Sequence, residues 1–205
     1  MLFLRSLATA AVLAAGTLAF KLPAGLADGS YVAYRDETGK QVIEAFTTEV
    51  ANRIGTQSNA TSEQGVKPAR TDSSDKRGIG SAGLEERDEW FWVSYCGCGF
   101  NLDHGNTDRA VQGIKDQCGS CNLAHDQAIF TIAGDVVAFI CNGGPTSASL
   151  ITRAAEIITQ RCGWYVAGTA YLEKGLWYEP DIGYMRWFAG LDFCGASEGG
   201  TSGNC

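Results

Sequence analysis

The chain has 205 residues, a formal net charge of −7, 45% hydrophobic residues and eight cysteines. This acidity argues against a nucleic-acid or anionic-membrane partner, because such affinity rests largely on Lys and Arg contacts to phosphate. An even cysteine number in a short chain points to a disulfide framework made in an oxidising compartment, where thiols are not kept reduced.

Residues 1–19 read as a secretion signal. Arg5 supplies the positive start, Leu7 to Leu18 form the apolar stretch, and cleavage is expected after Ala19. The run is shorter than the ~20 residues a membrane span needs, and it ends at Lys21 and Pro23. No membrane span is expected, and the product is expected to be secreted and extracellular.

Residues 20–77 contain no Cys, His or Trp and read as a pro-region. Ser30 to Ala45 (SYVAYRDETGKQVIEA) holds two β-prone runs around a polar, Gly-containing turn, the pattern of a hairpin. From Gly55 to Arg77 the chain turns to Ser, Thr, Gly and charge. Such a stretch cannot bury enough apolar surface to offset its ordering entropy, so a flexible linker is expected. It contains the one N-glycosylation sequon, Asn59-Ala60-Thr61, and ends at the dibasic pair Lys76-Arg77. Kexin-type cleavage after Arg77 is expected there, with Lys67-Pro68-Ala69-Arg70 as a weaker alternative.

All eight cysteines follow this pair, so residues 78–205 read as a mature cysteine-rich domain. It carries seven basic against fifteen acidic residues, a net charge of −8. Trp90 to Cys96 (WFWVSYC) is aromatic and β-branched, which predicts a strand. Asn106-Thr107-Asp108 offers cap-type residues. Ala110, Val111 and Ile114 then follow at helical spacing, and Gly119 can close that helix. Ala128 to Cys141 (AIFTIAGDVVAFIC) predicts a hairpin turning at Gly134-Asp135. Thr146 or Ser147 caps a second helix with Leu150, Ile151, Ala154, Ile157 and Ile158 as its apolar stripe, ended by Gly163. Trp164 to Leu172 reads as a strand and Tyr184 to Phe188 as one more, ahead of a Gly/Ser-rich tail. The order β-α-β-β-α-β predicts an α+β domain of the ferredoxin-like split βαββαβ type, two helices on an antiparallel sheet, stapled by disulfides.

Four bridges are expected among Cys96, Cys98, Cys118, Cys121, Cys141, Cys162, Cys194 and Cys205, with 105 pairings open. Cys96 and Cys98 are too close for an easy mutual bond. Cys118-Gly119-Ser120-Cys121 looks like a redox CxxC, but such a site has a strand before it and a helix after it, so that the helix N-terminus activates the first thiol. Here that order is reversed, which favours a structural bridge. Cys96, Cys98, His104, Cys118, Cys121 and His125 also form a metal-type ligand set. In a secreted chain the thiols oxidise first, so neither a metal nor any other cofactor is expected.

No G-x-S-x-G, H-E-x-x-H, P-loop or dinucleotide fingerprint is present. Asp103-His104 and His125-Asp126 are adjacent pairs that could orient an imidazole toward Ser94 or Ser120. A small secreted hydrolase using His104 or His125 is therefore the alternative, ahead of a metal or redox protein. Trp177-Tyr178, in a predicted loop, could stack on a sugar or anchor a protein if exposed. Ordinary core packing is the competing role.

Val136-Val137-Ala138-Phe139-Ile140-Cys141-Asn142, a helix, Cys162-Gly163-Trp164-Tyr165 and a late Gly183-Tyr184 before Cys194 together resemble small secreted cysteine-rich proteins of filamentous fungi. Several of these are similar to the killer-toxin-like effectors, α/β sandwiches made through kexin-processed precursors. The resemblance covers the mature half of the chain. It implies a non-enzymatic protein that acts by binding an extracellular or host target, a protein or a glycan, and a monomer is expected. The Cys96-Gly97-Cys98 pair and Cys205 depart from the pattern, so no disulfide pairing or binding residue is carried over.

Overall fold

In the computed structural model, residues 20–53, 90–174, 177–178 and 180–205 are described. The expected signal with Ala19, the sequon at Asn59 and the expected processing sites at Lys67–Arg70 and Lys76-Arg77 lie outside these residues. Along the chain run β1 (Gly29–Arg35), β2 (Gln41–Ala45), α1 (Thr48–Arg53), β3 (Phe91–Asn101), α2 (His104–Cys118) and β4 (Ser120–Leu123). Then come β5 (Gln127–Ala133), β6 (Val136–Cys141), β7 (Gly144–Ser147), α3 (Ala148–Cys162) and β8 (Val166–Lys174). The chain ends with β9 (Trp177–Tyr178), β10 (Asp181–Arg186), α4 (Phe193–Ala196) and β11 (Thr201–Ser202). No helix among the described residues is long and apolar enough to cross a membrane.

The protein is α+β, built on a large antiparallel sheet in the order β11-β3-β8-β10-β6-β5-β1-β2, with β9 pairing β8. In the simple split βαββαβ order, β3 would lie beside β6. Here β10 takes that place and β3 lies outside β8. The physical reason sits in β10 itself. Asp181 to Tyr184 are all buried, so this strand needs neighbours on both sides. Gly183 makes the fit, since a Cβ there would meet the Gly168 carbonyl oxygen at 2.5 Å and the Phe139 ring at 2.7 Å.

β5 and β6 carry no polar alternation, and every residue in both is buried. An antiparallel sheet often wets one face, but these strands are covered on both. On one face α2 and α3 press Ala110, Ile114, Ile151, Ala154 and Ile158 onto Ile129, Ala138 and Ile140. On the other, Phe130, Val137 and Phe139 pack under Phe20, Leu22, Leu191 and Phe193. The second core is thus roofed by one piece from each end of the described chain.

Residues 20–53, set apart in the sequence as a pro-region, share this sheet and core. The hairpin read in Ser30–Ala45 forms as β1 and β2, and β1 continues the main sheet by pairing β5 from Gly29–Ile132 to Tyr34–Gln127. Val32 and Ala33 are fully buried there.

Helix α2 starts a turn earlier than the sequence suggests. Asp103 is its cap, accepting the Asn106 backbone N–H at 2.8 Å. The Asn106 side chain is occupied elsewhere, donating to Asp135 at the β5–β6 turn. Replacing Asp103 with Ala is expected to lower stability by about 1 kcal/mol, measured by urea denaturation, because one first-turn N–H loses its acceptor. Helix α3 is capped by Ser147 and ends at Gly163, whose φ of 106° favours glycine.

Four disulfides close the structure: Cys96–Cys162, Cys98–Cys205, Cys118–Cys121 and Cys141–Cys194. Their Cα separations of 5.3, 5.5, 5.1 and 5.7 Å suit such bonds. Cys96 and Cys98 bond different partners, and Cys118 bonds Cys121 across the CxxC. Gly168 lets the first bridge seat, because a Cβ there would meet Cys162 Sγ at 3.2 Å and Ile158 at 2.8 Å.

Candidate functional site

Helix α2 presents two stripes. Thr107, Ala110, Ile114 and Cys118 face the core. Beside them Asp108, Gln112 and Lys115, spaced four and three residues apart, line up along a groove. Thr159 and Ala155 of α3 form the opposite wall and Tyr184 of β10 reaches it from the sheet, with Trp164 and Tyr165 at one end. The groove encloses about 350 Å³.

That end is held by an unusual piece of backbone. After Gly163 stops α3, Tyr165 sits at φ 56°, in the left-handed region that a bulky residue rarely adopts. Such a conformation costs on the order of 1 kcal/mol and persists only where neighbours hold it. Here the Leu102 N–H donates to the Tyr165 carbonyl at 2.8 Å, and the Tyr165 hydroxyl donates to Asp108 Oδ2 at 3.2 Å. The His104 ring stacks on the Tyr165 ring with centroids 3.8 Å apart and planes 13° from parallel. Partial burial and the adjacent Asp108 carboxylate both push the Tyr165 hydroxyl pKa up, so it stays a donor. The turn leaves Trp164 77% exposed, the largest exposure among the large hydrophobic residues described. Its indole is tilted against Tyr165 at 6.2 Å between centroids. The result is an aromatic platform at the end of a row of hydrogen-bonding groups, Asp108 and Gln112 exposed and Lys115 half-buried.

Comparison with protein-family models, with curated proteins and with solved structures finds no match to this chain. The site must therefore be read from its own chemistry.

The candidates drawn from the sequence fall in separate places. His104 opens α2, while Cys118, Cys121 and His125 lie at its other end. A helix of 15 residues puts these roughly 20 Å apart. The His125 ring meets the Asn142 carbonyl oxygen through Nδ1 at 2.9 Å. Asp103 serves the helix cap rather than an imidazole. Ser94 is buried and its hydroxyl donates to the Gly203 carbonyl, so it is committed to holding the tail. Ser120 sits in β4 opposite Ser147. The hydrolase arrangement of Ser, His and carboxylate is not assembled from these residues. All the cysteines are bridged, and the described residues contain no cluster of three or more metal-type side chains. Trp177 and Tyr178 form β9 against β8.

One buried carboxyl stands apart from the groove. Asp181, 2% exposed at the start of β10, accepts from the Asn142 side chain and from the Ser197 hydroxyl. Burial, with the Glu198 charge added, pushes its pKa up to about 7, against the lowering effect of those two donors. It ties the loop after β6 to the end of α4, beside the Cys141–Cys194 bridge.

The groove residues were missed in the sequence for an identifiable reason. The sequence predicts a strand from Trp164 to Leu172, in which a large ring would be buried, whereas the strand begins at Val166. The available signal was the Gly163 stop followed by two aromatics, together with the Asp108-Gln112-Lys115 spacing beside the apolar stripe.

Proposed function

We propose that this is a secreted, disulfide-held protein that acts by binding, and that the groove between α2 and α3 holds an oligosaccharide against Trp164. The observation carrying this reading is the 77% exposure of Trp164 on a strained, hydrogen-bonded turn. An aromatic face stacks on the C–H face of a sugar ring, while Asp108, Gln112 and Lys115 supply a carboxylate, an amide and an ammonium for its hydroxyls. A docked oligosaccharide needs no metal and no nucleophile. Toxin- or effector-like action on an extracellular or host surface, as in the fungal proteins the chain resembles, accords with such a site. Oxidised cysteines throughout and the N-terminal signal support an extracellular setting.

The test is a titration of tryptophan fluorescence with a panel of β-linked oligosaccharides, chitohexaose and laminarihexaose among them. At least one is expected to bind saturably, and Trp164→Ala is expected to weaken it roughly thirtyfold, about 2 kcal/mol, at unchanged circular dichroism. Equal binding by the variant, or no binding across the panel, would overturn the assignment.

A further inference from the structure

We infer that the segment beginning at Phe20 is retained in the finished protein as a second, non-covalently held chain, docked on the β5 edge and the Phe193 pocket of residues 78–205. This goes beyond the binding function proposed above and does not depend on it.

The first ground is what the segment buries. Phe20 and Leu22 are each 1% exposed. The Phe20 ring lies 6.4 Å from that of Phe193, and the Arg35 guanidinium sits over the Phe20 ring at 5.9 Å from its centroid. Leu22 exchanges backbone hydrogen bonds with the 190–191 turn, its N–H donating to the Leu191 carbonyl and its carbonyl accepting from Gly190. Six positions of β1 pair with β5. Both carboxylate oxygens of Asp28 lie 3.0 Å from the Gly134 N–H, and the hydroxyls of Ser30 and Thr131 meet at 2.8 Å. These contacts belong to a core and a sheet interior, not to a disposable cover.

The second ground is what its loss would leave. Without β1, the strand Gln127–Ala133 (QAIFTIA) would become a sheet edge with no charged residue. Phe130 and Phe193 would lose their cover on the same side. A long, flat, uncharged apolar edge is a template for aggregation. A secreted domain of residues 78–205 alone would carry that liability.

The third ground is the position of the expected cuts. Hydrolysis of the Ala19–Phe20 bond consumes one water, leaves a carboxylate on Ala19 and frees the Phe20 amine, which protonates. The Phe20 nitrogen already lies 3.2 Å from Asp192 Oδ1. Cleavage there replaces an amide donor to this carboxylate with an ammonium, so that both partners carry charge. Asp192 also caps α4, accepting the Gly195 N–H at 2.9 Å. The new terminus would thus lock the helix that carries Cys194. Hydrolysis of Arg77–Gly78 by a dibasic-specific endoprotease likewise consumes one water and leaves a carboxylate and an ammonium. It falls in the sequence between Arg53 and Trp90, and the contacts named above are all made by residues on either side of that stretch. Residues 20–77 contain no cysteine, and the eight that follow pair among themselves. Noncovalent packing alone would then hold the two chains together.

The experiment is mass spectrometry of the protein secreted by a host with dibasic processing, first under native and then under denaturing, non-reducing conditions. The expected native species is a one-to-one complex. On denaturation it should separate into a chain starting at Phe20 and ending at or before Arg77, and a chain starting at Gly78 whose mass is eight hydrogens short of the reduced form. A native species made of the Gly78 chain alone would overturn the inference. So would a single unbroken chain from Phe20 to Cys205. A paired variant, Lys76→Ala with Arg77→Ala, should give one uncut chain with the same circular dichroism. A spectrum that changes with the cut would also count against retention.

Discussion

Truncating Phe193 to Ala is expected to lower the stability of the protein by about 3–5 kcal/mol, read as a fall in the urea midpoint at unchanged slope. The residue is fully buried. Besides its contact with Phe20, its ring stands 5.1 Å from that of Phe130 and 5.6 Å from that of Phe139. Those rings come from the N-terminal segment, β5 and β6, so a single side chain joins the roof of the second core to its floor. Removing it leaves a void whose walls are sheet strands, and strands tied on both edges relax little into a cavity. A Phe193→Leu variant refills most of that space and should lose much less. Phe188→Ala, at a residue 54% exposed a few positions earlier, should change stability by no more than about 0.5 kcal/mol.

Asp181 is expected to make the fold more stable in acid than above neutrality. In the unfolded chain this carboxyl titrates near the ordinary aspartate value of about 3.9. In the folded protein, burial raises it to about 7. Between these two values the folded state keeps a proton that the unfolded state has released. The stabilisation is therefore complete below about pH 4, declines as pH rises, and is lost above about 7. Its full span is on the order of 4 kcal/mol. Asp181→Asn keeps the shape and removes the charge. The variant should match the parent near pH 4 and exceed it in melting temperature at pH 8. Two melting curves that stay parallel from pH 4 to 8 would show that Asp181 does not act this way. The acceptor role toward Asn142 and Ser197 survives in the amide oxygen, so lost hydrogen bonding does not obscure the comparison.

How far the sequence reveals this structure depends on the range of each interaction. The β5–β6 hairpin and α3 are written locally. Gly134 has the positive φ its turn needs, and Ser147 and Gly163 bracket a clean apolar stripe. The start of α2 is ambiguous because Asp103 and Asn106 are both good caps, and the choice falls to Asn106 having a better partner in Asp135. Sheet order is not local at all. The strand expected over Tyr184 to Phe188 runs instead over Asp181–Arg186, and its central place follows from Gly183 fitting against Gly168 and Phe139. The same limit hid the role of residues 20–53. Their hairpin has a mild alternation that could stand alone on paper, yet an isolated hairpin is marginal in water. What Val32 pairs with lies about a hundred residues onward, and what Phe20 meets at Asp192 lies 172 residues onward. Trp164 and its groove depend on Tyr165 occupying a conformation that no propensity favours.

The pairing of β1 with β5 also sets a clock for biosynthesis. Ser30 and Thr131, which meet across that ladder, are 101 residues apart, and Cys98 waits for a partner 107 residues away. β1 must stand idle until β5 has been synthesised, and at about 5–20 residues per second that takes several seconds or more. During this wait the intervening chain keeps β1 near its future site at an effective concentration in the millimolar range. A protease acting early would turn that intramolecular search into an encounter between two dilute molecules. In the two-chain form proposed above, a cut after Arg77 would be productive only once the ladder had closed, which would put processing after folding.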